Sequence, residues 1–285
     1  DKTLAIELMR EASLRYFWED EDAATQVASQ AYRANPDDLR TIWQLERFAA
    51  IANDYNALAQ LREKLSQVEI LPQARLHTLT TAILPYIDAE LPEHALRVAN
   101  EALKYNSHSI PALITLAHLA ESAEDWIGLA KIGDRLAESC VNMNNRLSYG
   151  LWAAQNWQEK LGLNQQAMAS LSLILAHDPS CLPAITMAEE LLHKTKDYTR
   201  LSRLYSRAIA AVEPSELQIA LLHKNAHILE ELLRDIPAAS TELAKILAQD
   251  PNDVFALAKQ AQLLCAQERW SEGVDALEQL ADITP

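Results

Sequence analysis

The chain has 285 residues, of which 49% are hydrophobic and only 5 are glycine, and its formal net charge at pH 7 is −15. A strongly negative chain is poorly suited to phosphate backbones or anionic lipid, because such partners need a positive surface. Few glycines and no alternating runs of Phe, Ile and Val favour helices over strands. The composition therefore predicts an all-α protein that does not bind nucleic acid directly.

The longest apolar stretch and the first residues of the chain indicate where in the cell the protein is located. The run from Ala112 to Ala120 contains His118 and is far shorter than a membrane span. The start, Asp1-Lys2-Thr3-Leu4, lacks a signal-peptide pattern. We therefore expect a cytoplasmic protein without direct membrane insertion, or a periplasmic one if a signal sequence was removed.

A ladder of aromatic residues marks an internal repeat. Its members are 71, 72 and 72 residues apart: Tyr55, Trp126, Tyr198 and Trp270. The residues nineteen positions earlier, each preceded by Asn or Asp, are Pro36, Ser107, Pro179 and Pro251. A register kept over almost the whole chain indicates a repeat array, which folds as a stack of similar units.

A second ladder with the same spacing divides each long period in two. Its members are Ala24, Ala95, Ala167 and Ala239. Together the ladders predict eight two-helix units, alternately of 34 and of 37 or 38 residues, that begin near Ala5, Leu39, Leu76, Ile110, Ser148, Leu182, Ala220 and Val254. The last unit has the three- and four-residue steps of one helix face, seen in Val254, Leu257, Ala261 and Leu264.

Residues typical of helix ends separate these units. Asp54, Asp125 and Asp197 directly precede the aromatics, where a carboxylate can accept the unpaired amide hydrogens of a helix start. The acidic run 19–22 is interpreted in the same way, as a cap for the next helix rather than a cation site. The prolines nineteen residues before the aromatics suit turns, because proline is tolerated in the first turn of a helix but breaks its interior.

The pattern resembles the tetratricopeptide repeat family over essentially the whole chain. The last unit shows the resemblance best, with Ala261, the helix-opening Trp270 and the preceding turn Asp250-Pro251-Asn252. The resemblance implies a right-handed superhelical solenoid of antiparallel helix hairpins, a single domain over residues 1–285 with about eight divergent repeats in paired 72-residue units. The alternating unit lengths resemble those of some large bacterial repeat proteins. Since Thr284-Pro285 falls where another repeat would begin, we expect a fragment of a longer protein.

Five units depart from the family pattern where the two helices of a hairpin touch. The family has a small residue there, whereas this chain has Glu46, Ile83, Gln155, Glu189 and His227. We expect those hairpins to splay or to repack.

The resemblance places the first helices of the hairpins on a concave, partner-binding face. The positions predicted to bind protein are Trp43, Arg47, His77, His118, Tyr149, Trp152, Asn156 and Lys224. Two groups among these are the leading candidates, because aromatic and arginine side chains supply most hot-spot energy: Trp43 with Arg47, and Tyr149 with Trp152 and Asn156. Alternatively, Trp43 and Trp152 fill gaps between hairpins, since large aromatics are commonly buried.

Some members of the family hold the terminal carboxylate of a peptide with Lys, Asn and Arg on successive first helices. Here Asn156 matches the asparagine, but Trp152 stands at the lysine position and Arg47 lies three units away. We therefore expect no such clamp, and a hydrophobic or amphipathic segment as the ligand.

The sequence predicts no catalytic, cofactor or metal site. His223 and His227 have the spacing of two metal ligands on a helix, but no glutamate completes a HExxH motif and both fall at hairpin-packing positions. The three cysteines, Cys140, Cys181 and Cys265, form no CxxC pair and are expected to be reduced. The sequence also contains no glycine-rich phosphate loop and no GxSxG motif, so we expect no enzyme in this segment.

Three classes of function are considered. The leading one is a scaffold that binds a partner polypeptide or helix in its concave groove and helps to assemble a multiprotein complex. The second is a regulatory domain of a larger signalling or transcription protein that senses a ligand or partner, which an adjoining kinase, cyclase or DNA-binding segment would favour. The third is a periplasmic component of envelope assembly or secretion, which an upstream signal sequence would favour.

Overall fold

The computed structural model describes residues 2–283, which form sixteen α-helices and no β-strand. The chain divides into two compact units, Asp1–Leu161 and Gly162–Pro285. The helices of the first unit are α1 (Lys2–Tyr16), α2 (Glu21–Ala34), α3 (Leu39–Ala52), α4 (Tyr55–Val68), α5 (Pro72–Asp88), α6 (Pro92–Tyr105), α7 (Ile110–Ser122), α8 (Trp126–Ser139) and α9 (Met143–Gln155). Those of the second are α10 (Asn164–His177), α11 (Leu182–Thr195), α12 (Tyr198–Ala211), α13 (Glu216–His227), α14 (Ile236–Gln249), α15 (Val254–Ala266) and α16 (Trp270–Ile283).

Within each unit every helix packs against the next one along the chain. Short turns join the helices into antiparallel hairpins, and the side chains that face neighbouring helices form the buried core. The predicted all-α fold of helix hairpins is therefore confirmed. A single solenoid over residues 1–285 stays a prediction, and the expected start of a further repeat at Thr284-Pro285 lies outside the described residues.

The predicted starts of the second helices are confirmed where an aromatic or an acidic cap marked them. The four aromatics of the ladder are the first residues of α4, α8, α12 and α16. The carboxylates of Asp54, Asp125 and Asp197 accept hydrogen bonds of 3.0, 2.9 and 3.1 Å from the amide three residues further on. Asp20 caps α2 in the same way at 2.9 Å, so the acidic run 19–22 does mark a helix start.

The turn inside most hairpins requires a left-handed residue. Its backbone φ lies between 53° and 66° at Asn53, Glu90, Glu124, Gly162, Lys196, Arg234 and Glu268. Only one of these seven residues of the described chain is a glycine, although a residue with a Cβ loses about 1 kcal/mol in this conformation. In the six turns whose left-handed residue carries a Cβ, each within one unit, the conformation is therefore maintained by the packing of the two helices that the turn joins.

The 72-residue period reflects two alternating types of hairpin. Each second helix has 14 residues, whereas the first helix has 13 or 14 residues in α3, α7, α11 and α15. The intervening first helices are longer: α5 has 17 residues, and α9 and α13 each continue into a five-residue π-helical turn, Asn156–Lys160 and Ile228–Leu232.

The predicted unit starts need correction at these longer helices. They begin at Pro72, Met143 and Glu216 rather than near Leu76, Ser148 and Ala220, and α1 begins at Lys2 rather than near Ala5. The reason is local: proline suits the first position of α5, and the side chains of Asn142 and Ser215 cap α9 and α13. The extra residues of alternate repeats therefore lengthen first helices.

A buried proline in α5 explains one departure from the family pattern. Pro85 has no amide hydrogen, so the carbonyl of Thr81 lacks its usual helical donor. The Arg62 guanidinium of α4 donates to that carbonyl over 2.7 Å and, through Nε, to the Glu46 carboxylate of α3 over 2.8 Å. The unusual Glu46 therefore belongs to a network that joins three successive helices.

A second polar cluster joins α4, α5 and α6. The Glu63 carboxylate accepts hydrogen bonds of 2.6 and 2.8 Å from Arg97 and one of 2.7 Å from the buried Tyr86 hydroxyl. The bond from Arg97, and then that from Tyr86, lower the pKa of Glu63 although burial opposes the shift. Burial, followed by the bond to Glu63, raises the pKa of Tyr86.

We predict that Arg62→Ala destabilises the protein by about 1–3 kcal/mol, because it leaves the Thr81 carbonyl and the Glu46 carboxylate without a donor. Pro85→Ala restores the helical amide donor to the Thr81 carbonyl. Its effect on the free energy of unfolding should therefore be more favourable in the Arg62→Ala background than in the wild type. Urea unfolding of the two single variants and the double variant measures this coupling. Strict additivity of the two changes would show that Arg62 does not substitute for the missing amide.

The Glu63 cluster predicts acid sensitivity. Because the folded-state pKa of Glu63 lies below its ordinary value of 4.5, the ionised carboxylate stabilises the fold above that pH. The contribution is lost as pH falls through the folded-state pKa. Glu63→Gln should therefore lower the free energy of unfolding by about 1–2 kcal/mol at about pH 7, with a smaller difference from wild type at about pH 3.

Urea midpoints across that pH range measure the effect. Glu138→Gln, on the exposed surface of α8, removes the same charge without touching the cluster and is the matched control. A Glu63→Gln deficit that stays constant with pH would contradict the proposed role of ionisation.

Candidate functional site

A groove between α7 and α9 in the first unit brings together three of the predicted binding residues. Its wall on α7 consists of Ile114, Ala117, His118 and Glu121. These residues follow one another at positions i, i+3, i+4 and i+7, so they lie on one helix face. The groove is therefore built on a first helix, as the family resemblance implied.

The opposite wall comes from α9. Ser148, Tyr149 and Trp152 line it, and the buried Leu136 of α8 contributes to the floor, around a cavity of about 400 Å³. Tyr149 and Trp152 are half-buried, whereas His118 and Glu121 are exposed at the rim. The groove thus combines an apolar interior with a polar edge, as partner-binding sites commonly do.

A glycine of α8 positions the Trp152 ring. A Cβ added at the buried Gly133 would lie 3.0 and 3.2 Å from Cε3 and Cζ3 of Trp152 and 2.9 Å from Cβ of Ala153. Because such distances are shorter than normal contacts, only glycine allows α9 to approach α8 this closely. One edge of Trp152 therefore packs on α8 while the residue also lines the groove.

Trp43, Arg47 and His77 lie on other first helices and do not line this groove. Trp43 is 50% exposed on α3, so it is not a buried gap filler. Arg47 is one turn further along the same face and, among the described residues, makes no hydrogen bond or ion pair. His77 is exposed on α5.

Asn156 occupies the first position of the π-helical turn after α9 and is only 8% exposed. Its amide donates a 2.8 Å hydrogen bond to the carbonyl of Trp152. The neighbouring Trp157 is buried and donates from Nε1 to Asp134 of α8 over 2.9 Å. The structure thus uses this turn for packing, and Asn156 does not present its amide on the surface.

Lys224 is exposed on α13, but its ammonium group is already engaged. It donates bonds of 3.0 and 2.8 Å to the two carboxylate oxygens of Glu189 on α11, and Nζ lies 5.9 Å from the centre of the Tyr205 ring. Burial, and then the negative charge of Glu189, raise the pKa of Tyr205. Glu189, another departure from the family pattern, is thus paired with a cation.

His223 of α13 contacts the residue that caps α15. One ring nitrogen, Nε2, lies 2.7 Å from an Asp253 carboxylate oxygen, and the ring packs edge-on against Phe255. Burial raises the pKa of Asp253, but the amide of Ala256 and the contact with His223 outweigh it, so the net shift is downward.

Between residues 2 and 283, no three His, Cys, Asp or Glu side chains are grouped so that they could hold a metal ion. Over the same residues, no helix is both long and apolar enough to span a membrane.

The sequence pattern did not mark Ala117, Glu121, Leu136 and Ser148 as groove residues, or Gly133 as their support. Glu121 could have been predicted from its spacing, because it lies seven residues after Ile114 and therefore on the same face of α7. A glycine inside a helix of a glycine-poor chain was the available signal for Gly133. Leu136 had no signal, because its contribution depends on how closely α7, α8 and α9 approach.

Comparisons with known proteins give structural neighbours alone. No family model matches the chain, and no curated protein matches its sequence. A tetratricopeptide repeat protein from Parabacteroides merdae ATCC 43184 is 13% identical, with 92% of this chain and 99% of that chain covered and a TM-score of 0.39.

Two longer structures are also similar. A chain of the Naa15/Naa10 structure bound to HypK-THB is 16% identical over 99% of this chain, with a TM-score of 0.41, and yeast Tom70 is 17% identical over 93%, with a TM-score of 0.35. The present chain spans 54% and 55% of their respective lengths.

We predict that Gly133→Ala displaces the Trp152 ring and destabilises the protein by about 1–3 kcal/mol, because the added methyl group overpacks the contact between α8 and α9. Urea unfolding and near-ultraviolet circular dichroism measure stability and ring environment. In the Trp152→Ala background, Gly133→Ala should lower the free energy of unfolding by less, because the ring that clashes with the added methyl group is absent. An equal cost in both backgrounds would contradict the contact.

Proposed function

We propose that this chain is a protein-interaction scaffold that binds an amphipathic helix of a partner in the groove between α7 and α9. The observation that carries the proposal is the pairing of Trp152 and Tyr149 with Ile114 and Ala117 of α7 around a cavity of about 400 Å³. Aromatic side chains that are already held in place contribute large contact areas with little loss of conformational entropy.

A helix is the favoured ligand because its apolar side chains recur at the spacing of the groove. A partner helix with anchors at positions i, i+3 or i+4, and i+7 can insert them along the face from Ile114 to Glu121. Glu121 at the rim and the net charge of −15 favour basic residues beside those anchors. We therefore propose a basic amphipathic helix.

The remaining predicted residues extend this proposal along the first helices. Trp43 and the unpaired Arg47 form a second aromatic and basic pair on α3, and His77 is exposed on α5. Assembly of a multiprotein complex requires more than one contact surface, and these residues are the proposed additional contacts. Lys224 contributes only if a partner displaces Glu189.

The test is affinity capture with the purified chain, followed by measurement of Kd for each captured partner. Trp152→Ala should weaken binding by about 2 kcal/mol, or about thirtyfold in Kd, because it removes the central ring of the groove. Trp43→Ala shows whether the same partner also reaches α3. Binding should weaken as salt rises, since exposed charges steer the partner.

Trp270→Ala is the matched control. Trp270 is 62% exposed at the start of a second helix and does not line the groove, so its loss removes a similar ring without changing the groove lining. If every captured partner binds Trp152→Ala and Trp270→Ala equally well, the groove is not the binding site. Indifference to salt would contradict the electrostatic part of the proposal.

A further inference from the structure

A larger groove, of about 540 Å³, lies in the second unit between the second helices α10 and α12. Its floor contains Leu175 of α10 and Leu191 and Leu192 of α11, all of which are buried. The half-buried Met168 and Leu204 continue the apolar lining towards the opening. Its two walls are the second helices α10 and α12, whereas the walls of the groove proposed above are the first helices α7 and α9.

Three arginines line the α12 wall of this groove. Arg200, Arg203 and Arg207 occupy positions i, i+3 and i+7, and α12 contains no acidic residue. The α10 wall consists of uncharged side chains, and no carboxylate lines the groove within the part of the chain that the structure describes. In a chain with a net charge of −15, this groove is therefore a local patch of positive charge.

Contacts within the chain pair these three guanidinium groups only weakly or not at all. Arg200 is 3.6 Å from Asp197 and remains largely exposed, while Arg207 donates a long 3.4 Å bond to the carbonyl of Leu175 across the groove. Arg203, between them, is exposed and makes no hydrogen bond or ion pair with any residue of the range 2–283. An unpaired guanidinium above an apolar floor is well suited to a carboxylate carried on an apolar segment.

We propose that this groove binds an acidic amphipathic helix of another protein. The three arginines extend over two helical turns, about 10 Å, which matches carboxylates placed every three or four residues along a helix. A single small anion would instead need arginines that converge on one point. The apolar floor takes the leucine-like side chains of the same helix, and charge complementarity orients it.

The proposal is tested with the full chain and a labelled helical peptide of about 16 residues, with glutamates along one face and leucines beside them. Fluorescence polarisation gives the Kd. We expect Arg203→Glu to weaken binding at least about tenfold and Arg203→Ala to weaken it by less, because reversal adds repulsion to the lost contact. A peptide with glutamine in place of glutamate should also bind at least about tenfold more weakly.

Lys131→Glu is the matched control for charge. Lys131 is exposed on the second helix α8 of the first unit, and its reversal changes the net charge by the same amount as Arg203→Glu. Equal losses for the two variants would overturn the proposal in favour of a general field effect. The proposal would also be overturned if the glutamine peptide bound as tightly as the glutamate peptide. Full competition by inorganic phosphate or by a short single-stranded oligonucleotide would overturn it as well. Far-ultraviolet circular dichroism identifies any variant that fails to fold.

Discussion

The burial of the fourth residue of every second helix is the constraint on which the structure depends. That residue is Ala24, Ala95, Ala167 or Ala239 in alternate hairpins, and each of these alanines has no exposed surface. In the intervening hairpins it is a buried leucine, or Gly273 in the last one. The alanines of the long-helix hairpins and the leucines of the short-helix hairpins alternate, so a 72-residue period describes the array better than a 34-residue one.

Departures from the family pattern are compensated by polar contacts. Without Arg62, the half-buried carboxylate of Glu46 would be unpaired. The Thr81 carbonyl would also lack a donor, because Pro85 has no amide hydrogen. Glu189 is paired with Lys224 in the second unit. Because a buried polar group costs free energy unless it is bonded, these two acidic residues are each paired with a cation of a neighbouring helix. The hairpins that contain Glu46 and Glu189 are therefore repacked around specific polar bonds.

The two grooves differ in the charge that surrounds an apolar interior. The groove of the first unit has aromatic walls and Glu121 at its rim, whereas that of the second has Arg200, Arg203 and Arg207. A chain with a large negative charge can in this way present surfaces for partners of opposite sign. In the two proposed binding sites, apolar contact would provide affinity and charge would provide selection between partners.

The sequence by itself determined the hairpins, their caps and the aromatic starts of α4, α8, α12 and α16, because these features depend on hydrogen bonds and side-chain spacing within a few residues. It also assigned His118, Tyr149 and Trp152 to one face from the phase of first helices; all three line the groove between α7 and α9, and their role in binding stays a prediction. Only the tertiary structure decided that Asn156 is buried, that Lys224 is engaged by Glu189, and that Gly133 supports Trp152. Those outcomes depend on distances between helices, and local sequence spacing does not specify how closely two helices approach.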